Sequence, residues 1–348
     1  MPQKSETHNL RIRENLRMQA CSAALSTGAH VYLLGAGIAV PLSGNSAWIA
    51  SLAAIPAAAL LAALARKRAL CGGSSRAGLC LAALSGFLLS AFSSAALVLL
   101  AQQALLPQAR AIHIAALTAV FITFCAACGR GEVRLCFFMR YALPLILFFS
   151  ACLQLPPGGL AGVFPILGRG AKPLAAAAGV MAASAAPAAV ILLQALSEDS
   201  CKEDCYLPRA GFFTVRTALG AAAGCAMLFL LCAGNGSQAL LGQRLFGARL
   251  LMLSSGAHQG LFDTAVILSL TAICMLHAAR MMLCAADAMR SAFPAIQTGT
   301  GLWILPGAAL AAVLIAFASL GEAAVPWLGI LAAVPAFLSL ACIKKERE

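Results

Sequence analysis

The sequence contains few charged residues: only 10% of its 348 residues are Asp, Glu, Lys or Arg. Aromatic residues are also scarce, at 7%, whereas hydrophobic residues make up 61% and the mean hydropathy is +0.90. A soluble domain averages about 25% charged and about 45–50% apolar residues. This composition excludes a soluble enzyme, a disordered chain and a secreted disulfide scaffold, and it is typical of a helical membrane protein with several spans.

The apolar runs lack acidic residues at their centres, although the chain contains 12 Asp and Glu residues. A charge at mid-bilayer is costly and is usually functional where it occurs, so this absence disfavours a carboxylate proton relay deep in the membrane. The chain also has no Ser/His/Asp set, no His-Glu-x2-His motif and no phosphate-binding loop. We therefore expect no enzyme activity and no cofactor.

The 14 cysteines do not follow a metal-binding pattern. Most lie within apolar runs, where a free Cys behaves as a small apolar residue. The pair Cys125-x2-Cys128 has no second Cys pair or His pair near it. A structural zinc site needs four ligands, so we expect no metal site.

Crossing a bilayer takes about 20 mostly apolar residues, and we count ten such runs, numbered here as spans one to ten. Together they predict an all-α membrane domain over residues 19–343, preceded by a cytoplasmic segment 1–18 and followed by a cytoplasmic tail 344–348. The runs cover approximately residues 19–41, 47–65, 77–105, 111–129, 134–155, 173–196, 211–234, 262–288, 301–320 and 324–343.

The basic residues indicate the orientation of these spans. With the N-terminus on the cytoplasmic side, 17 of the 24 Lys and Arg residues fall on that side, 5 fall on the other, and Arg140 and Arg280 lie within spans. Such a bias is the usual signature of the cytoplasmic side. We therefore interpret the net charge of +12 as a topology signal rather than as a nucleic-acid-binding surface, and we expect both ends in the cytoplasm.

One further stretch, residues 239–260, is apolar but carries Arg244 and Arg249. Its apolar residues recur three to five positions apart, which is typical of an amphipathic helix lying on the membrane surface. We expect this stretch to lie on the outer surface rather than to cross the bilayer.

Two of the spans contain helix-breaking residues. Span one contains Ser26-Thr27-Gly28-Ala29-His30, and span six contains Ser184-Ala185-Ala186-Pro187. These spans open the two halves of a five-plus-five arrangement, about 19–155 and about 173–343. Broken helices at equivalent places in two halves indicate a mid-membrane site in inverted-repeat transporters. The alternative is that Gly and Pro are common in ordinary membrane helices.

Four sets of motifs follow one another along the chain. The first is Thr27-Gly28, Pro41 and Gly44-Asn45-Ser46-Ala47-Trp48; the second is Gly131-Glu132 followed by Arg134, Arg140 and Pro144. The third is Val163-Phe164-Pro165-Ile166-Leu167-Gly168-x-Gly170-x2-Pro173-Leu174, and the fourth is Gln259-Gly260-Leu261-Phe262-Asp263. Together they resemble the spore germination permease family, the B subunits of germinant receptors within the amino acid–polyamine–organocation superfamily.

The resemblance implies a ten-helix bundle of the leucine-transporter type with a five-plus-five inverted repeat. It also implies a small-molecule germinant, typically an amino acid, as the ligand, and the A and C receptor subunits as partners in the spore inner membrane. The chain departs from the family at His258-Gln259-Gly260, where a basic residue normally precedes Asp263, and in a sixth span that is almost entirely alanine.

Three functions follow as hypotheses. The first is a membrane subunit that senses a germinant in a pocket between broken spans one and six. The second is a secondary transporter of amino acids or related solutes, in the bacterial cell membrane. The third is a membrane scaffold that no longer binds a ligand, suggested by the alanine-rich sixth span.

Candidate ligand-binding residues are the small and polar side chains within the spans. They are Thr27, Gly28, Ser90, Ser94, Ser184, Pro187, Thr264 and Ser269. The serines of span three could instead serve as close-packing residues, and we expect His30 to be a packed, hydrogen-bonded histidine. Near the cytoplasmic end of span eight, a stripe at steps of three to four residues is formed by His277, Arg280, Cys284 and Asp287. They are either a gate or a solvated helix end.

The topology makes a direct prediction for Cys201 and Cys205, which lie between spans six and seven. This loop is cytoplasmic in the ten-span arrangement. A membrane-impermeant thiol reagent should therefore label both residues in inverted vesicles, whose cytoplasmic side faces outward, and should not label them in intact cells. Labelling of the same loop from outside intact cells would contradict the arrangement.

Overall fold

The computed structural model describes residues 2–70, 75–129, 131, 134–135, 139, 145, 148, 152, 163–164, 167–198, 210–235, 237–243, 245–252, 261–293 and 301–342. Within these residues the regular structure is helical and no strand occurs. Six helical stretches are long and apolar enough to cross a membrane, and three shorter apolar helices accompany them. The prediction of an all-α membrane protein is therefore confirmed.

The α-helices follow in chain order, with a π-helical turn at Gly35–Ala39 between the first two and another at Ala101–Leu105 after the fifth. They are α1 (Pro2–Leu34), α2 (Val40–Ser43), α3 (Ala47–Ser51), α4 (Ala54–Leu70), α5 (Arg76–Leu100), α6 (Ala111–Ala127), α7 (Ala171–Ala183), α8 (Ala186–Glu198), α9 (Ala210–Gly234), α10 (Ser237–Gly242), α11 (Phe246–Leu251), α12 (Leu261–Ala292), α13 (Gly301–Leu320) and α14 (Val325–Ala341).

The predicted spans coincide with these helices where the structure describes them. Spans two and six each correspond to a pair of helices, α3 with α4 and α7 with α8, and the other described spans correspond to single helices. Most of span five lies outside the described residues, as do the loop that carries Cys201 and Cys205 and the tail 344–348.

Helices α5 and α12 form an antiparallel pair at the centre of the molecule. A Cβ atom on Gly86 would lie 2.9 Å from the carbonyl oxygen of Met281, so glycine is what lets the two backbones meet there. Ala82 and Ala83 pack with Ala288, which lies about two turns after Met281 on α12. Helix α14 packs along α5 as well, and the Ser85 hydroxyl donates a hydrogen bond of 2.7 Å to a carbonyl of α14.

Helices α1 and α9 form a second close pair, which is parallel. A Cβ atom on Gly220 would lie 2.1 Å from the carbonyl oxygen of Ala24, and one on Gly224 would lie 2.5 Å from that of Gly28. Small residues four apart permit this approach, as in the small-x3-small contacts of membrane helices. The Gly220-x3-Gly224 pair is therefore a helix-packing motif in this chain.

The remaining helices surround these two pairs. Helix α6 packs against α13, α3 against α7, and α4 against both α8 and α9. Helix α8 also contacts α1, α5 and α12, so the second half of span six reaches the centre of the bundle.

The predicted break in span one is wrong. Helix α1 continues without interruption through Ser26–His30, and the irregular backbone follows at Gly35–Ala39 as a π-helical turn. Gly28 instead permits the close packing of α1 against α9. A residue without Cβ is suited to a backbone contact as well as to a bend, so the sequence alone did not distinguish the two roles. The predicted break in span six is confirmed, since α7 ends at Ala183 and α8 begins at Ala186.

The outer stretch 239–260 differs from the single surface helix predicted for it. Its described part forms two short helices, α10 and α11, while 253–260 lie outside the described residues. Arg249 is 6% exposed and points into the protein rather than toward a membrane surface. Six residues of helix extend only about 9 Å, so neither helix crosses a bilayer, in agreement with that part of the prediction.

The close contact of α1 and α9 predicts the effect of adding one methyl group. Gly220→Ala should lower the free energy of unfolding by about 1–3 kcal/mol, because the new Cβ would overlap the Ala24 carbonyl and force the helices apart. Gly211→Ala is the matched control on the same helix, since no other atom lies within 4 Å of its added Cβ. Thermal unfolding of the purified variants measures both effects, and equal stability of the two would contradict the packing.

Candidate functional site

Five buried polar side chains lie on three helices, α1, α5 and α12, that pack against one another. They are Thr27 and His30 of α1, Ser90 and Ser94 of α5, and His277 of α12, and we call them the core polar cluster. Each is at most 1% exposed. Their hydroxyl oxygens and both nitrogens of each imidazole have no hydrogen-bond partner among the residues that the structure describes.

The two histidines bring the helices of the cluster together. The rings of His30 and His277 lie with their centroids 5.7 Å apart, and Phe92 of α5 meets His30 edge-on at 5.2 Å. The antiparallel helices α5 and α12 are in contact at Gly86 and Met281. Ser90 lies one helical turn after Gly86, and His277 lies one turn before Met281, so the two residues are at the same level.

The break in span six lies beside the cluster. Ala186, the first residue of α8, packs with Ala23 of α1, Leu89 of α5 and Met281 of α12. Leu89 precedes Ser90, and Met281 lies one turn after His277. The interrupted backbone of span six is thus about one helical turn from the cluster, and non-helical backbone at membrane depth is tolerated where it is buried in protein or lines a cavity.

The chemistry of the cluster is that of neutral hydrogen-bonding groups. A neutral imidazole carries one N–H donor and one acceptor nitrogen, and each hydroxyl can both donate and accept. A buried polar group without a partner destabilises a protein by about 1–3 kcal/mol. Several such groups in one place therefore form a favourable environment for a polar molecule that supplies the missing partners.

A chain of hydrogen bonds joins three helices on the cytoplasmic side of the cluster, in the predicted orientation. The Arg280 guanidinium of α12 is fully buried and donates to the amide oxygens of Gln19 on α1 and Gln194 on α8, the latter at 3.1 Å. The Gln194 amide donates in turn to Asp287, which forms an ion pair of 3.0 Å with Arg290. The prediction of a solvated helix end is wrong for Arg280.

A second arginine fastens the other end of α1. Nε of Arg249 donates to the carbonyl of Ala36 at 2.7 Å, and Nη2 donates to that of Gly37 at 3.1 Å. The third bond, from Nη1 to the carbonyl of Gln243, measures 2.8 Å. Pro41 has no N–H to donate to the carbonyl of Ala36 or Gly37. The guanidinium pairs with these carbonyls instead, so α11 is attached to the end of α1.

Glu322, just before α14, completes this outer network. Its carboxylate accepts hydrogen bonds from the Gln103 amide at 2.9 Å and from the backbone N–H of Gly247 at 3.0 Å. Burial lowers the pKa of Arg249, and the negative charge of Glu322 raises it. The guanidinium remains charged at any physiological pH, because its ordinary pKa exceeds 12.

The other predicted site residues do not belong to the cluster. The Ser184 hydroxyl donates to the carbonyl of Met181, 2.6 Å away in its own helix. Pro187 lies in the first turn of α8, where a missing N–H costs no helical hydrogen bond. Thr264 is exposed, and Ser269 is buried on α12 two turns before His277.

Sequence reasoning missed the roles of Gln19, Gln194, Arg249 and Glu322 in these two networks. Apart from the bond from Arg249 to Gln243, their hydrogen-bond partners lie 75 or more positions away along the chain, as with Gln194 and Asp287, which are 93 apart. No local pattern could have paired them. His30 was expected to be packed and hydrogen-bonded. It is packed against Phe92 and lies beside the Gly329 backbone, but neither ring nitrogen forms a hydrogen bond of ordinary geometry.

No family model matches the chain, and no curated protein matches it either.

The cluster makes a prediction that separates paired from unpaired serines. Ser90→Ala should raise the free energy of unfolding by about 1–3 kcal/mol in the absence of ligand, because it removes a buried hydroxyl without a partner. Ser85→Ala, on the same buried helix, should lower it by about 0.5–1.5 kcal/mol, since Ser85 bonds across to Ala332. Thermal unfolding measures both, and destabilisation of equal size would contradict the assignment.

Proposed function

We propose that this chain is a membrane receptor subunit of the germinant-receptor type, which senses a small polar solute bound at the core polar cluster. The observation that carries the proposal is the set of imidazole and hydroxyl groups that are fully buried without partners in the described structure. Natural proteins rarely keep such groups without a reason. A solute that binds there gives each of them a partner.

The class of solute follows from the charge of the cluster. It contains no carboxylate and no lysine, and its members offer both donors and acceptors. A neutral or zwitterionic molecule suits this environment better than a dication does. The N–H groups of Ser184 and Ala185, about one turn away, already donate to the carbonyls of Met181 and Ala182, so the bonds to the solute come from the side chains of the cluster. An amino acid is the solute that fits these features together with the family resemblance.

A ten-span inverted repeat, the architecture that we propose for the chain, is supported by how the helices pair. In such a repeat, exchanging each span with the one five further along leaves the pairings unchanged. Spans one and seven pack together, as do six and two. In the same way, the contact between spans one and eight corresponds to the contact between spans six and three. The contact between spans four and eight corresponds to the contact between spans nine and three. Spans three and eight, and four and nine, pair with their own equivalents.

The cellular setting that we propose rests on the resemblance and on the charge bias. Both ends lie in the cytoplasm, the membrane is the spore inner membrane, and the A and C subunits of the receptor are the partners. A bound solute would then change the packing of α1, α8 and α12, which are the helices that a partner subunit could sense.

A secondary transporter is the second candidate, and the two arginine networks favour it. Arg249 fastens the outer end of α1, and Arg280 fastens its inner end. A transporter needs closures on both sides of its site that open in turn. A scaffold without ligand, the third hypothesis, gives no account of why the imidazoles remain unpaired in the core.

The test uses the purified protein and the proteinogenic amino acids, offered one at a time. We expect at least one of them to raise the unfolding temperature, since a ligand at 100 times its dissociation constant stabilises by about 2.7 kcal/mol. His277→Leu should abolish that rise while leaving the unliganded protein at least as stable. His277→Gln should retain part of the rise, because an amide still donates and accepts.

The outcomes separate the three hypotheses. Binding without uptake of the radiolabelled amino acid into proteoliposomes supports a receptor, and binding with uptake supports a transporter. If no amino acid stabilises the wild type, the proposed solute class is wrong. If His277→Leu binds as the wild type does, the site lies elsewhere.

A further inference from the structure

A cavity of about 390 Å³ lies beside the contact of α1 and α9, away from the core polar cluster. Its walls come from α1, α9 and α12, with Leu145 and Phe148 on the remaining side. We propose that this lateral cavity binds one acyl chain of an anionic phospholipid, whose headgroup phosphate pairs with Arg216. The inference does not depend on the proposed solute or on its site.

The cavity exists because small residues line it where α1 meets α9. Ala24 and Gly28 on α1 face Gly220 and Gly224 on α9, and the two backbones touch where side chains are missing. Beside that contact, Ala223 contributes only a methyl group. Larger side chains would have filled this space, so the sequence of small residues that allows the contact also leaves the cavity.

The length of the cavity matches one leaflet of a bilayer. It extends along α9 from Arg216 to Met227 and along α1 from Cys21 to Leu33. At 1.5 Å per residue, the distance along α9 is about 16 Å. The hydrocarbon core of a bilayer is about 30 Å thick, so the cavity covers the depth of a single acyl chain rather than of the whole membrane.

The lining is apolar except at one end, where Arg216 provides the charged group. Its guanidinium lies 4.7 Å from the centre of the Phe212 ring, one turn nearer the start of α9. The side chain thus extends toward the end of the helix that is cytoplasmic in the predicted orientation, as long basic side chains do near membrane interfaces. Basic pockets between helices on this side are favourable for anionic lipid headgroups.

The cavity is open toward the surface that faces lipid. Leu219 is 60% exposed on this surface, and Ala223 and Ala226 are exposed beside it. An apolar cavity does not attract water, and the hydrocarbon around the protein is the apolar material that can enter it. The phosphodiester of an anionic headgroup then gives Arg216 an opposite charge, whereas in phosphatidylcholine the choline ammonium offsets the charge of the same phosphodiester.

Native mass spectrometry of the full-length protein in detergent tests the proposal, with dioleoyl phosphatidylglycerol and dioleoyl phosphatidylcholine as probes. We expect the anionic lipid to bind more tightly. Arg216→Gln should weaken its binding roughly tenfold, the loss of about one charge-assisted hydrogen bond, and bring it to the level of phosphatidylcholine. Ala223→Leu should exclude both lipids, because the larger side chain fills the cavity.

Two matched controls keep the result specific. Arg76→Gln removes a charge on the same predicted side outside the cavity, and Ala309→Leu adds the same bulk at an exposed position of α13. Both should bind phosphatidylglycerol as the wild type does. The proposal is overturned if Arg216→Gln binds normally, if Arg76→Gln weakens binding as much, or if both lipids bind the wild type equally. If Ala223→Leu fails to fold, as thermal unfolding would reveal, the comparison of Arg216→Gln with Arg76→Gln tests the proposal by itself.

Discussion

A hydrocarbon interior offers no water to polar groups, so every polar atom placed there must find a partner within the protein or in a bound molecule. This constraint explains why most of the interior consists of alanine, glycine, leucine and isoleucine. It also explains the two arginine networks, in which glutamine oxygens accept from Arg280 and backbone carbonyls accept from Arg249. In the core polar cluster the same constraint is not met by the described protein groups alone.

Close packing of small residues is the second organising feature, and it has two consequences. It brings the backbones of α1 and α9 together at Gly28 and Gly220, and those of α5 and α12 together at Gly86. In the absence of a hydrophobic driving force between helices in lipid, such contacts supply dispersion energy along the whole length of a helix pair. They also leave space beside them, and the lateral cavity along Arg216 is the result.

The fold class could be predicted from the sequence because hydropathy alone identifies apolar helices of membrane length. Four members of the core polar cluster could be found in the same way, since Thr27, Ser90, Ser94 and His277 are polar residues within apolar runs. The role of Gly28 could not, because glycine permits both a helix break and a backbone contact, and its partner on α9 lies about 190 positions away. The networks around Arg249 and Arg280 likewise depend on tertiary contacts that no local spacing encodes.

The central claim is that the core polar cluster accommodates a molecule from the aqueous phase. Substituted-cysteine labelling tests it most directly, in a background in which all 14 native cysteines are replaced. A cysteine at position 90 should react with a small hydrophilic methanethiosulfonate reagent, and an amino acid that binds should slow the reaction. A cysteine at position 85, equally buried on the same helix, should remain unreactive. Equal inertness of the two positions, with and without every amino acid, would contradict the account.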